Sequence, residues 1–176
     1  MRDLFVVGCE TGLRFSNFSR LQPHHIKADR IEMNQKKTSQ KVIVPVCTDL
    51  QRKILKKFNN QLPQVENVTE FNKIIRELCE HANITEEVTM LRNIANVKQE
   101  VVSKKYELVT IHTCRRSFCT NHFLNRMPVT LIMAISGHKT ERAFMRYLKI
   151  DNSKKVDMFR ENMEKRVSGE SVRNIE

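Results

Sequence analysis

Apolar residues recur at helical spacing along most of this chain, and only one stretch alternates with the period of two that a strand pair needs. Thr48 precedes "DLQRKILKKF", where Leu50, Ile54, Leu55 and Phe58 fall on one stripe and the threonine stands at the cap position. "EFNKIIRELCEHA" repeats the pattern with Phe71, Ile74, Ile75, Leu78 and Cys79, with Thr69 at its cap. By contrast "RIEMNQ" and "KVIVPV" alternate around the polar "KKTSQ", which predicts a β-hairpin with arms of about five residues. The opening "RDLFVVGCETG" predicts a short buried helix that ends at a turn broken by Gly8 and Gly12. Residues 83 to 110 are weakly patterned, with a candidate strand at "YELVTI". From 112 onward the helical signals return. Pro128 fits the first turn of "PVTLIMAIS", Gly137 stops it, and Thr140 with Glu141 opens a helix through "RAFMRYLK". A last amphipathic helix over about 153–166 carries Val156, Met158, Phe159 and Met163. The prediction is a mainly α fold with a small antiparallel β-sheet, in the α+β class.

With 4 Gly and 4 Pro in 176 residues, and no repeat or low-complexity linker, the chain offers few places to divide it. It reads as one unit over 1–166 with a polar tail, "VSGESVRNIE", from 167. A net charge of +11 favours a polyanionic partner, and nucleic acid is the commonest one, although a solvated basic surface has the same composition. There is no apolar run of about 18 residues and no signal peptide at the start, so the expectation is a cytoplasmic protein without a membrane partner. The five cysteines, Cys9, Cys47, Cys79, Cys114 and Cys119, form no CxxC pair and read as structural. No cluster of carboxylates suits Mg²⁺, which argues against a metal-dependent nuclease.

Four short stretches set cationic or hydrogen-donating groups at backbone breaks or on one helix face. "ETGLRFSNFSRL" places Arg14 just after a glycine turn, and "QKKTSQ" places Lys36 and Lys37 at a hairpin tip. "IHTCRRSFCT" spaces His112 and Arg115 one helical turn apart, so both could grip one anion. "ISGHKTERAFMRY" sets His138 after a helix-ending glycine and Tyr147 nine residues later. On a continuous helix those nine residues would turn Tyr147 about 180° from His138, so only the break at 137–140 can bring both to one place. Taken singly, each residue has an ordinary reading. Tyr147 shares a stripe with Ala143, Phe144 and Leu148, as a packed core tyrosine would, while His112 and Arg14 could be satisfied structural side chains. Arg116 points about 100° away from Arg115 and reads as contacting another phosphate or an acidic side chain. His24 and His25 match no motif and read as structural.

In order and spacing, "TGLRFS", "HTCRRSFCT" and "ISGHKTERAFMRY" resemble the arginine, His-x-x-Arg and Gly-His…Tyr boxes of the tyrosine recombinases, or phage integrase family, over residues 3 to 151. The wording is similar to that of integrases from Bacteroides-like mobile elements. The resemblance implies the catalytic domain fold of that family and six roles. Arg14 and Arg115 would bind the non-bridging oxygens of one DNA phosphate, and Tyr147 would attack its phosphorus. His112 would act as acid or base beside the nucleophile, Lys37 would protonate the leaving 5′ oxygen, and His138 would hydrogen-bond the phosphate. The family lysine directly precedes turn residues, which favours Lys37 over Lys36. Asn17 departs from the family, which usually has an acid there to help hold the first arginine.

The implied reaction is site-specific recombination through a 3′-phosphotyrosyl intermediate, without metal, ATP or other cofactor. The chemistry is consistent with the residue types. Guanidiniums meet charge developing on phosphoryl oxygens with paired donors, and a phenol needs a base or a strong positive field to become a nucleophile. The implied partners are double-stranded DNA attachment sites, other copies of the chain in a tetramer on DNA, and accessory DNA-bending proteins, in a bacterial, nucleoid-associated setting. The family's N-terminal DNA-binding domain has no counterpart in 1–176, so the chain is expected to be a catalytic domain cut from a longer protein. The alternatives are a type IB topoisomerase-like activity and a DNA-binding module that does not cut.

Overall fold

Helix α1 (Arg2–Thr11) can lie close against α5 (Ile111–Leu124) because Gly8 faces it: a Cβ there would come within 3.0 Å of the Cys114 Cβ and 3.1 Å of the Phe18 ring. Gly8 therefore serves packing inside α1 and does not end it. The helix ends at Gly12, in the left-handed region at φ 61°, whose N–H closes on the Gly8 carbonyl at 3.1 Å. The computed structural model describes residues 1–36, 39–148 and 150–167; Lys37 and the tail beyond Val167 lie outside the described residues.

After α2 (Phe15–Phe18) and a short 3₁₀ turn, β1 (Arg30–Asn34) pairs antiparallel with β2 (Lys41–Pro45), Ile31 opposite Val44 and Met33 opposite Val42. Those four side chains are buried on one face, as their period-two spacing predicts. Helix α3 (Asp49–Lys57) starts at Thr48, whose hydroxyl accepts from the Gln51 N–H at 3.1 Å. Its buried face is Gln51, Ile54 and Leu55, while Leu50 is 48 % exposed, contrary to the stripe read from the sequence. Gln51 takes the inner place because its amide oxygen accepts the Cys47 and Thr48 N–H groups and its amide nitrogen donates to the Glu10 carbonyl. Helix α4 (Val68–His81) is capped by Asn67 and not by Thr69, since Asn67 Oδ1 accepts from both Thr69 N and Glu70 N.

Residues 83–110 differ from the sequence expectation. Strands β3 (Glu87–Ile94) and β4 (Val97–Lys104) form a second antiparallel hairpin, joined by Ala95 and Asn96 at φ 48° and 64°. Two positive φ values in a two-residue loop mark the turn type whose twist suits a hairpin. The hairpin adds no residue to either hydrophobic core, so its side chains lack the clean in-and-out alternation that makes a strand legible. The candidate strand "YELVTI" is instead a 3₁₀ turn at 105–108 followed by the start of α5, where Thr110 N–H donates to Thr113 Oγ1 and Ile111 N–H to Asn72 Oδ1. The fold is thus mainly helical, with two small antiparallel sheets.

Helix α6 (Val129–Ser136) follows Pro128, which sits just before its first turn, and Gly137 ends it at φ 70°. Thr140 caps α7 (Glu141–Met145), which stops after five residues, so Tyr147 lies beyond the helix and not within it. Helix α8 (Asn152–Val167) is the last element among the described residues, with Val156, Phe159 and Met163 exposed. No helix among the described residues is long and apolar enough to cross a membrane.

The interior has two parts. One joins α1, the first hairpin, α3, α4 and the start of α5; the other gathers Phe118, Cys119, Ile132 and Phe144, with Tyr147 and Leu148 against it. Cys114 belongs to the first and Cys119 to the second, and burial pushes both thiols up, to about 11 for Cys119. Arg115 sits between them on α5, where the two parts meet. Gly12→Ala would force a β-carbon into the Phe118 ring at a left-handed φ. It is expected to cost about 2–4 kcal/mol, read as a lowered urea midpoint at unchanged m value; an unmoved midpoint would refute this account of the turn.

Candidate active site

Two arginines meet at the ends of two helices. Arg14 follows the glycine terminus of α1; its Nη1 donates to Gln35 Oε1 and its Nη2 to the Gly137 carbonyl at 3.3 Å. Arg115 is 2 % exposed, and its Nη1 donates to the Gly12 carbonyl at 2.9 Å and to the Ser136 carbonyl. The carbonyls that end α1 and α6 therefore grip both guanidiniums. Carbonyls and an amide oxygen fix their direction without cancelling their charge, and among the described residues neither arginine has a carboxylate partner. Burial first, and Arg14 second, pull the Arg115 guanidinium down to about 10, so it stays charged at neutral pH. A buried cation without a counter-ion is expensive, and Arg115 Nε in addition finds no partner among the described residues. Such a site is stabilised by an incoming anion.

His138 holds the other side of Arg115. Arg115 Nη2 lies 3.0 Å from His138 Nε2, and Ser136 Oγ lies 2.8 Å from His138 Nδ1. Arginine can only donate, so Nε2 accepts; the Ser136 hydroxyl donates to the Ile132 carbonyl at 2.6 Å, so Nδ1–H donates to Ser136 Oγ. This fixes one neutral tautomer. Burial first, then Arg115 and Arg14, push the His138 imidazole down to about 3, in agreement with that chain of donors.

The turn at Gly137 brings His138 and Tyr147 together: their rings lie 4.8 Å apart, edge to face, and Arg115 Cζ lies 5.3 Å from the Tyr147 ring centre. A cleft of about 380 Å³ is bordered by Arg14, His112, Arg115 and Tyr147. Four of the six expected residues thus face one cleft, and His138 bonds directly to one of them. Lys37 lies outside the described residues; Lys36 is exposed in the turn after β1, and its N–H donates to Asn17 Oδ1 at 3.1 Å.

Three supporting residues were not singled out as such from the sequence. Gln35 is buried beneath Gly137, so that any Cβ at 137 would overlap its amide, and it supplies the bond to Arg14 expected of an acid at position 17. Its signal was parity: Ile31 and Met33 share one face of β1, and Gln35, one residue past the strand's end, continues that buried row. The Asn17 side chain holds the backbone of the turn at Lys36 and makes no bond to the Arg14 guanidinium among the described residues; only its backbone N–H donates to the Arg14 carbonyl, at 2.8 Å. Ser136, fully buried, sets the His138 tautomer.

The folded protein resists protonating His138, whereas the unfolded chain does so near the ordinary value of 6.5, so stability rises with pH from about 3 to 6.5 and is lost as pH falls through that window. In His138→Asn the loss of stability between about pH 6.5 and 4 is expected to be shallower than in the wild type. Superimposable pH profiles from chemical denaturation would exclude a buried neutral imidazole.

Residues 2–154 match the phage integrase family. Solved structures of similar fold include the XerA recombinase (TM-score 0.66, 18 % identity, 89 % of this chain and 55 % of that one). They also include the XerH site-specific recombinase bound to palindromic difH substrate in a post-cleavage complex (0.62, 15 %, 89 % and 44 %). A third is the Tn1549 transposon integrase in complex with a circular intermediate DNA (0.58, 16 %, 93 % and 57 %). The chain spans about half the length of these structures. No curated protein sequence matches it. With the family match covering most of its length and the fold in agreement, the chain belongs to the phage integrase family.

Proposed function

We propose that this chain is the catalytic domain, over residues 1–166, of a site-specific DNA recombinase that cuts and rejoins strands through Tyr147. The observation that carries this reading is Arg115, a buried guanidinium without a carboxylate, facing a cleft shared with a second arginine and a tyrosine. Arg14 and Arg115 take the non-bridging oxygens of the scissile phosphate. The Tyr147 oxygen attacks phosphorus, His112 at the cleft edge accepts the phenolic proton, and Lys37 protonates the departing 5′ oxygen. One P–O bond forms as another breaks, leaving a 3′-phosphotyrosyl link and a 5′ hydroxyl. The reverse attack by a hydroxyl of a partner strand reseals the backbone, so the bond energy is conserved without ATP.

In the arrangement described, His138 orients Arg115. Its Nε2 turns to the phosphate as a donor only if the proton moves from Nδ1 to Nε2 and Arg115 Nη2 swings from the imidazole to the phosphate. The substrate is double-stranded DNA at an attachment site, in keeping with the net charge of +11. The exposed Val156, Phe159 and Met163 on α8 suit packing against another copy of the chain, which supports assembly as a tetramer on DNA, with a separate N-terminal DNA-binding domain and accessory DNA-bending proteins completing the machine.

With nicked suicide duplexes of candidate attachment sites and excess chelator, the wild type is expected to leave a protein–DNA adduct on a denaturing gel, and Tyr147→Phe none. DNA binding without any adduct, both in this chain and in the longer protein, would instead make it a binding module. Gln35→Glu keeps an acceptor for Arg14 but neutralises its charge, so adduct formation is expected to slow by at least ~10-fold at a near-native urea midpoint. Unchanged rates would mean that the Arg14 charge is not used.

A further inference from the structure

A second cleft, of about 300 Å³, is bordered by His112, Arg116, Arg146 and Tyr147. We infer that this cleft binds a second phosphodiester of the same DNA strand, next to the one held by Arg14 and Arg115; the inference rests on the recombinase reading above.

Tyr147 and His112 border both clefts, so the two sites share a wall. Neighbouring positions on a helix point about 100° apart, which sends Arg115 into the first cleft and Arg116 into the second. Arg146 reaches the second from the turn between α7 and Tyr147. Both Arg116 and Arg146 are exposed, and among the described residues neither side chain has a hydrogen bond or an ion pair. That sets them apart from Arg2, Arg30, Arg52 and Arg126, which pair with Asp3, Glu32, Asp49 and Glu161. Among the described residues Arg116 therefore has no acidic partner, which favours the phosphate reading, and no described carboxylate borders either cleft. Two guanidiniums in a shallow open cleft suit a solvent-facing phosphate, since each offers a planar fork of donors. A strand seated in both clefts is held at two points beside the tyrosine, which fixes the phosphorus in front of the nucleophile. The ligand class is thus a nucleic-acid backbone with consecutive phosphodiesters, not an isolated phosphate ester.

The test is equilibrium binding of a short duplex of arbitrary sequence at several salt concentrations. Arg116→Ala and Arg146→Ala are each expected to weaken binding roughly 5–10-fold at low salt and to lower the slope of log K against log salt by about 0.9, with about 1.8 in the double variant. Arg116→Lys and Arg146→Lys keep the charge and should keep the slope. Arg160→Ala, on exposed α8, serves as the control. Slopes indistinguishable from the wild type, or no larger an effect than Arg160→Ala, would overturn the inference. If adducts form through Tyr147 but the slopes do not move, the second site fails alone. If the slopes fall as expected but no adduct forms even in the longer protein, the recombinase reading fails and the backbone-binding surface stands.

Discussion

The arrangement depends on one buried charge, Arg115, held by carbonyl oxygens instead of a carboxylate. Taking a guanidinium out of water costs several kcal/mol even after relaxation, and an ion pair is the usual remedy. Here the remedy is withheld: the Gly12 and Ser136 carbonyls and a neutral imidazole accept its hydrogen bonds while leaving its net charge intact. The protein carries part of the cost in its free state and recovers it when an anion arrives. Each neighbour is consistent with this. Gln35 is an amide where an acid would neutralise Arg14, and His138 is kept neutral by burial and by the two arginines beside it, so it adds no third positive charge.

The grip on the two arginines comes from places where helices stop. Residues at a helix C-terminus leave carbonyls without intrahelical partners, and a left-handed glycine turns the chain so that these point sideways. Gly12 and Gly137, at φ 61° and 70°, do this for α1 and α6, and the two ends meet across Arg115. The same turn at Gly137 reverses the chain toward Tyr147, which a continuous helix would have placed on the far side. One backbone device therefore aims the cations and brings Tyr147 to the same cleft.

What could be read from the sequence was local. Arg14 after a glycine, His112 one turn before Arg115, and His138 and Tyr147 around a helix break are short-range patterns, and the first hairpin and the long helices follow from periodicity. What escaped reading depends on tertiary packing. Gln51 displaced Leu50 from the inner face of α3 because its amide caps the helix and ties it to α1, which no periodicity reveals. The β3–β4 hairpin stands off both cores, and its alternation is confined to the half-buried Val88, Met90, Val101 and Ser103, too short a run to identify the strands. Asn17, read as a weakened support for Arg14, instead fastens the turn after β1, and the support comes from a residue 21 positions along the chain from Arg14.

That exchange of partners has a physical reason. An acid at 17 that reached Arg14 would pair with it and reduce the positive field in the cleft, whereas an amide from the adjoining hairpin fixes the guanidinium without loss of charge. It also links two parts that must be in register. Gln35 touches Arg14 by its oxygen and lies under Gly137 by its nitrogen, and it immediately precedes Lys36 in the turn after β1. A shift of the hairpin would therefore move Arg14 and the loop bearing His138 together, so the anion site and the lysine turn are mechanically one unit, assembled on a single buried amide.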